Sequence, residues 1–211
     1  MTTTTIALIR HGQTDWNLAG RIQGHTDIPL NATGIAQAEA ASLALGEEPW
    51  HALLSSPLGR ARHTAELIAA GLGMPEVRDH AGFLERNFGL AEGLVAGPEL
   101  DAVRSDQAGG FVAAETPAAV AERGIAALTE LREQHPGQRL LVVSHGACIR
   151  ITLQRLLGQD VPRILNAERT QLVHDGRGWQ LSHLNGQLLT AEAPERREHP
   201  EPQQRSSEAS A

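Results

Sequence analysis

The pattern of hydrophobic and polar positions along the chain predicts an alternation of strands and helices. Short apolar runs at residues 5–9, 52–55 and 139–143 are typical of buried β-strands. Residues 171–174 and 179–184 flank an aspartate-glycine pair and predict a terminal β-hairpin. These three strands and the C-terminal hairpin are therefore expected to form the sheet.

Apolar positions three and four residues apart predict the helices between these strands. The first helix is expected from about Gly34. A second follows Ser56, which we expect as its N-cap with Pro57 in the first turn. Further helices are expected from Thr116-Pro117 and after residue 146.

Two stretches of the chain have no sustained periodicity. Residues 12–33 are rich in glycine, proline and asparagine and are predicted to form a loop. Residues 74–115 predict a short strand at 76–78, an acidic glycine-rich loop and a short helix within 98–105. We expect this second stretch to form a lid that shapes the substrate pocket.

The order of the elements predicts a single-domain α/β fold, a three-layer sandwich with a mostly parallel sheet flanked by helices. We expect this domain to span residues 1–190. Residues 191–211 hold five Glu, three Arg, three Pro and three Ser but no large apolar side chain, so we expect a disordered tail. Because ligands collect at the carboxyl ends of the strands in α/β folds, the active site is expected there.

Composition excludes several classes of chemistry. All 18 basic residues are arginine, which excludes a Schiff-base lysine and a P-loop lysine. Arginine suits bidentate phosphate contacts. The net charge of −7 argues against a nucleic-acid partner, and no apolar run approaches the roughly 18 residues of a membrane helix. The single cysteine excludes an internal disulfide, and a cytoplasmic location is expected.

Two histidine-glycine pairs carry the clearest candidate chemistry. His11 and His145 each follow a predicted buried strand, and each precedes a glycine. Both histidines would emerge at the same edge of the sheet, where a pair of imidazoles beside Arg10 suits phosphoryl transfer. These residues alone leave an alternative open, in which each histidine is a structural residue at a strand end whose ring is hydrogen-bonded to the backbone.

Two further residues are weaker candidates. Arg60 follows Ser56-Pro57 in the first turn of a predicted helix, whose free N–H groups favour an anion. Glu85 lies in a loop among apolar neighbours, where a carboxyl group can act as a general acid near neutral pH. The alternatives are a surface arginine and a solvated glutamate.

Four sequence blocks occur in the order and spacing of a known family: residues 10–17 (RHGQTDWN) with 20–24 (GRIQG), 55–61 (SSPLGRA), 84–93 (LERNFGLAEG) and 143–146 (VSHG). From about residue 6 to 150 the chain resembles the branch of the histidine phosphatase superfamily that includes cofactor-dependent phosphoglycerate mutases and small phosphatases. The family's frequent Trp before Glu-Gly is replaced by Ala91, in the region that shapes the pocket.

The resemblance implies a phosphohistidine mechanism without cofactor or metal. His11 would attack phosphorus, Arg10, Arg60 and His145 would hold the phosphoryl oxygens, and Glu85 would protonate the leaving oxygen and then deprotonate water. Further substrate-binding positions implied by the family are Asn17, Gln23, Gly24 and Gly146.

The expected activity is hydrolysis of a small phosphorylated metabolite, with a phosphoglycerate mutase as the alternative. Gln13-Thr14 and the short chain favour the phosphatase. A non-catalytic phospho-ligand binder is disfavoured because all five core residues are present. A metal hydrolase is disfavoured because the helical His-x-x-x-His spacing is absent. The oligomeric state is left open, and a homodimer is one candidate.

Overall fold

A computed structural model of the chain describes residues 2–46, 48–106 and 109–189. Its sheet has the strand order β3-β2-β4-β1-β5-β6-β7. The pairs β1–β4, β2–β4 and β2–β3 are parallel, and the pairs β1–β5, β5–β6 and β6–β7 are antiparallel. The strands are β1 (Thr4–Arg10), β2 (Ala52–Ser55), β3 (Arg78–Asp79), β4 (Arg139–Ser144), β5 (Arg169–His174), β6 (Trp179–Leu184) and β7 (Gln187–Leu188).

Helices cover both faces of the sheet. Helices α2 and α3 pack against each other, as do α5 and α6. The helices are α1 (Asp15–Leu18), α2 (Ala32–Leu45), α3 (Gly59–Leu72), α4 (Pro98–Ala102), α5 (Pro117–Gln134) and α6 (Gly146–Leu157).

The central strands are buried on both faces, which explains their continuous apolar runs. Ile6 and Leu8 of β1 pack with the α5 and α6 side chains, whereas Ala7 and Ile9 pack with those of α3. Successive side chains of a strand point to opposite faces, so one strand supplies both cores. This arrangement confirms the predicted three-layer α/β sandwich.

The predicted start of α3 is wrong by two residues. The helix begins at Gly59 with Leu58 as its N-cap, and the Ser56 side chain makes no capping bond to it apart from a long contact to the Leu58 N–H. The exposed Asp27 carboxylate instead accepts from the N–H groups of Gly59 and Arg60. A distant loop thus supplies the anion that the helix terminus favours.

Other differences lie where periodicity is short. The strand expected at 76–78 is the two-residue β3, and α4 is shorter than predicted, whereas the sequence predicted neither α1 nor β7. Elements of two to four residues contain too few positions to display a period. The tail predicted for 191–211 lies outside the described residues. In the ranges that the structure describes, no helix is long and apolar enough to cross a membrane.

Candidate active site

The two histidine-glycine pairs lie side by side because β1 and β4 are neighbours. Arg10 at the end of β1 pairs with Ser144 at the end of β4, and the His11 N–H donates to the Ser144 carbonyl over 2.9 Å. The rings of His11 and His145 consequently lie 5.1 Å apart, measured between centroids. The sheet register thus brings together the two histidines that the sequence singled out.

His11 is held as a neutral imidazole with one nitrogen free of a proton. Its Nδ1 lies 2.7 Å from the Gly12 carbonyl oxygen and therefore carries the proton that it donates. Burial, and secondarily the charges of Arg60 and Arg10, lowers the pKa of His11 well below 6.5. The lone pair of Nε2 accepts a hydrogen bond from the Arg60 Nε–H over 3.3 Å. This nitrogen has the protonation state that a nucleophile requires.

His145 is fixed at one ring nitrogen only. Its Nε2 lies 2.7 Å from the Ser56 hydroxyl, whereas its Nδ1 is buried and has no partner among the described residues. Burial first, and then the charge of Arg60, lowers the pKa of His145 well below 6.5. When the Ser56 hydroxyl donates to Nε2, the ring proton resides on Nδ1, which is then a hydrogen-bond donor available to an incoming acceptor beside the His11 ring.

Arg10 is anchored at one end and open at the other. One terminal nitrogen donates to the Ile164 carbonyl over 2.9 Å, and its Nε is buried without a partner among the residues described. Burial lowers its pKa to about 10, so the guanidinium remains charged at neutral pH. A Cβ at position 146 would lie 3.2 Å from this Nε, so Gly146 keeps the start of α6 close to Arg10.

Arg60 is the most deeply buried charged side chain of the site, with 1% of its surface exposed. Its guanidinium donates to the carbonyls of Gly24 and Thr26 over 2.7 and 3.0 Å and pairs with Asp27 at 3.3 Å. Burial lowers its pKa, although the carboxylates of Glu85 and Asp27 oppose that shift. These contacts fix the guanidinium beside His11.

The carboxylate of Glu85, a loop residue, lies against the N-terminus of α6. It accepts from the N–H groups of Arg86, Cys148 and Ala147 over 2.8, 2.9 and 3.3 Å. Arg123 on α5 holds the loop, because it donates to the carbonyls of Leu84 and Glu85 over 2.7 and 3.1 Å. The carboxyl group is thus fixed at the pocket wall.

The loop between β1 and α2 closes the other side of the pocket, and Asn17, Gln23 and Gly24 line it. Gly24 has a φ of +60°, and Glu92 Oε1 occupies the space where its Cβ would lie. Glu92 also accepts from the N–H groups of His25 and Thr26, which ties this loop to the loop of Glu85.

The cavity enclosed by these residues has a volume of about 380 Å³ and includes residues that the sequence did not point to. Arg21, Arg150 and Arg163 add basic side chains, and Phe88 and Ile164 add apolar surface. Arg150 follows Gly146 by one turn of α6, so the two residues share a helix face. This spacing could have indicated from the sequence that Arg150 lines the cavity.

Comparison with known proteins identifies the family. Residues 6–187 match the model of the histidine phosphatase superfamily, branch 1. The chain belongs to this superfamily. It is 34% identical to an uncharacterised phosphatase, PhoE, of Bacillus subtilis over 87% of this chain and 98% of that protein. It is 37% identical to a metal-independent phosphoserine phosphatase of Arabidopsis thaliana over 81% of this chain and 76% of the relative.

A solved structure agrees with this assignment. The mycobacterial glucosyl-3-phosphoglycerate phosphatase, solved with VO3, aligns with a TM-score of 0.77 at 29% identity, over 87% of this chain and 99% of that one. The predicted family and fold are therefore confirmed, and so is the prediction of a phosphoric monoester hydrolase. The mutase alternative has less support. Across the part of the chain that is described, no group of three or more His, Cys, Asp or Glu is arranged to hold a metal ion.

Proposed function

We propose that the protein hydrolyses its phosphate monoester in two steps, through a phosphohistidine on His11. In the first step the Arg60 Nε–H shifts its hydrogen bond from Nε2 to a phosphoryl oxygen, and the freed Nε2 lone pair forms a bond to phosphorus. The ester P–O bond breaks, and Glu85 protonates the leaving oxygen. In the second step water attacks the phosphohistidine and gives a proton to Glu85. The P–N bond then breaks and orthophosphate leaves.

The charge that develops on the phosphoryl oxygens needs fixed donors around Nε2. Arg10, Arg60 and the Nδ1–H of His145 fill this role in the proposal, with Asn17, Gln23 and the Gly24 and Gly146 backbone at the rim. Donors that are already fixed in a site with little water stabilise such charge without reorganising, which is the dominant contribution in phosphoryl transfer.

One observation carries the proposal. Arg10 Nε and His145 Nδ1 are both buried without a partner in the described structure. Arg10 lines the same cavity as His11, and the His145 ring lies 5.1 Å from the His11 ring between centroids. A buried donor without a partner costs about 1–3 kcal/mol. An anion bound against Nε2 satisfies both donors, so these losses are recovered on substrate binding.

The relatives support a small organic phosphate as the substrate. Their names specify phosphoserine in one case and glucosyl-3-phosphoglycerate in another. We therefore propose a phosphorylated small metabolite for this chain too. The cytoplasmic location and the homodimer stay predictions.

Phosphate release from a panel of monoesters tests the proposed activity. The panel includes phosphoserine, 3-phosphoglycerate and p-nitrophenyl phosphate, and isomerisation of 3-phosphoglycerate is followed in parallel. His11→Ala should abolish release, whereas His63→Ala, which removes an exposed histidine on α3, should leave it unchanged. Isomerisation that outruns phosphate release would favour the mutase instead.

A further inference from the structure

The cavity holds more positive charge than its phosphate end requires. Arg10 and Arg60 lie at the nucleophile, yet Arg150 and Arg163 also line the same cavity. In the described ranges, no carboxylate lies within 4.0 Å of either of these two guanidiniums, whereas Arg60 pairs with Asp27. A surplus of unpaired cations in a cleft attracts a second negative group.

Both side chains belong to segments that are fixed at the phosphate end. Arg150 lies on α6, one turn after Gly146, and Gly146 packs against Arg10. Arg163 precedes Ile164, whose carbonyl oxygen accepts from Arg10 over 2.9 Å. The two arginines therefore approach the cavity from different elements, both adjoining the Arg10 anchor.

The loop of Arg163 is held in place by one asparagine. Asn185, in the left-handed region with a φ of +48° in the β6–β7 turn, donates from Nδ2 to the Arg163 carbonyl over 3.0 Å. Its Oδ1 accepts from the Leu165 N–H over 2.9 Å. This double contact orders the backbone on both sides of Ile164, and the exposed Arg163 side chain extends from that ordered backbone.

Each of the two arginines is close enough to one other arginine to affect its pKa. Arg163 is among the groups that lower the pKa of Arg10, after burial, and Arg150 has the same effect on Arg86. An anion that binds near Arg150 and Arg163 offsets the repulsion that each exerts on its neighbouring arginine.

We propose that Arg150 and Arg163 form a second anion subsite, which selects phosphate monoesters that carry a carboxylate or a second phosphate near the ester. This inference rests on the proposed function for the first, phosphoryl end of the cavity. A guanidinium matches either anion with two parallel hydrogen bonds, so the shared chemistry is a compact oxyanion. Phe88 and Ile164 supply the apolar wall beside the carbon chain that links the two groups.

Binding and turnover, measured separately, test the subsite. Calorimetry on the His11→Ala protein compares 3-phosphoglycerate, glycerol 1-phosphate and glycerol 1,3-bisphosphate, which differ only in the group at the far carbon. The two ligands with a second negative group should bind about tenfold to hundredfold more tightly than glycerol 1-phosphate, the range for a charge-assisted contact. The stronger of the two identifies the second anion.

Substitutions of the two arginines test whether they cause the preference for ligands with a second anionic group. Arg150→Gln with Arg163→Gln should remove that preference and leave glycerol 1-phosphate within about threefold. Arg155→Gln, an exposed arginine later on α6, is the matched control. Equal affinity for all ligands, or equal weakening of all ligands in the double variant, would overturn the subsite. Absence of phosphate release by the native enzyme would refute the proposed activity alone, since the binding comparison needs no turnover.

Discussion

Removal of the Ser56 hydroxyl tests whether the protein fixes the ring proton of His145. Ser56→Ala deletes the group 2.7 Å from Nε2 and leaves a buried nitrogen without a partner. The proton is then no longer held on Nδ1, and the site loses a donor to the phosphoryl oxygens. A hydrogen bond to a charged group contributes about 1.5–3 kcal/mol, so kcat/KM should fall about tenfold to 150-fold.

Ser55→Ala is the matched control. Ser55 is equally buried, and its hydroxyl donates to the Ser56 carbonyl over 2.8 Å instead of to the histidine. Both variants should lose about 1–3 kcal/mol of unfolding free energy, measured in urea, but only Ser56→Ala should lose activity toward p-nitrophenyl phosphate.

Nitrogen-15 chemical shifts of the His145 ring provide a direct reading of the tautomer. They should show a protonated Nδ1 in the native protein and a mixture in Ser56→Ala. Activity of Ser56→Ala within twofold of Ser55→Ala, together with an unchanged tautomer, would refute the reasoning.

Three other predictions concern Glu85, the proposed general acid, and the buried titratable side chains. Glu85→Gln should lower kcat about 10²- to 10⁴-fold, as rapid kinetics of phosphate release will show. Because the pKa values of His11 and His145 are lowered by folding, the unfolded chain binds more protons below pH 6.5. The unfolding free energy in urea should therefore fall as the pH drops through this range, by at most about 1.4 kcal/mol per pH unit for each histidine. Burial raises the pKa of the Cys148 thiol to about 11, so a thiol reagent should label it at pH 8 only after denaturation.

The sequence predicted the parts of the site that follow directly from strand ends. His11 and His145 could be predicted from the sequence because each comes after a continuous apolar run, and parallel strands end at the same edge of the sheet. Arg60 could be predicted because it follows a strand and lies in the first turn of a helix.

Other contributions depend on tertiary contacts that no local pattern displays. Ser56 next to Pro57 is typical of a helix start, yet its hydroxyl contacts a histidine 89 residues away. Arg123 lies on a regular amphipathic helix, and only the packing of α5 brings it to the loop of Glu85. Arg163 belongs to a loop without periodicity, whose place is set by Asn185 in the distant hairpin turn.

We propose His11 as the nucleophile that attacks phosphorus, and trapping the covalent phosphohistidine tests this role most directly. The protein is mixed with a phosphorus-32-labelled monoester, quenched in base within milliseconds, digested and mapped by mass spectrometry. A base-stable, acid-labile phosphoryl group should be found on His11 and should be absent from His11→Ala. Label on Ser144 or on another residue, or near-normal turnover by His11→Ala, would contradict the account.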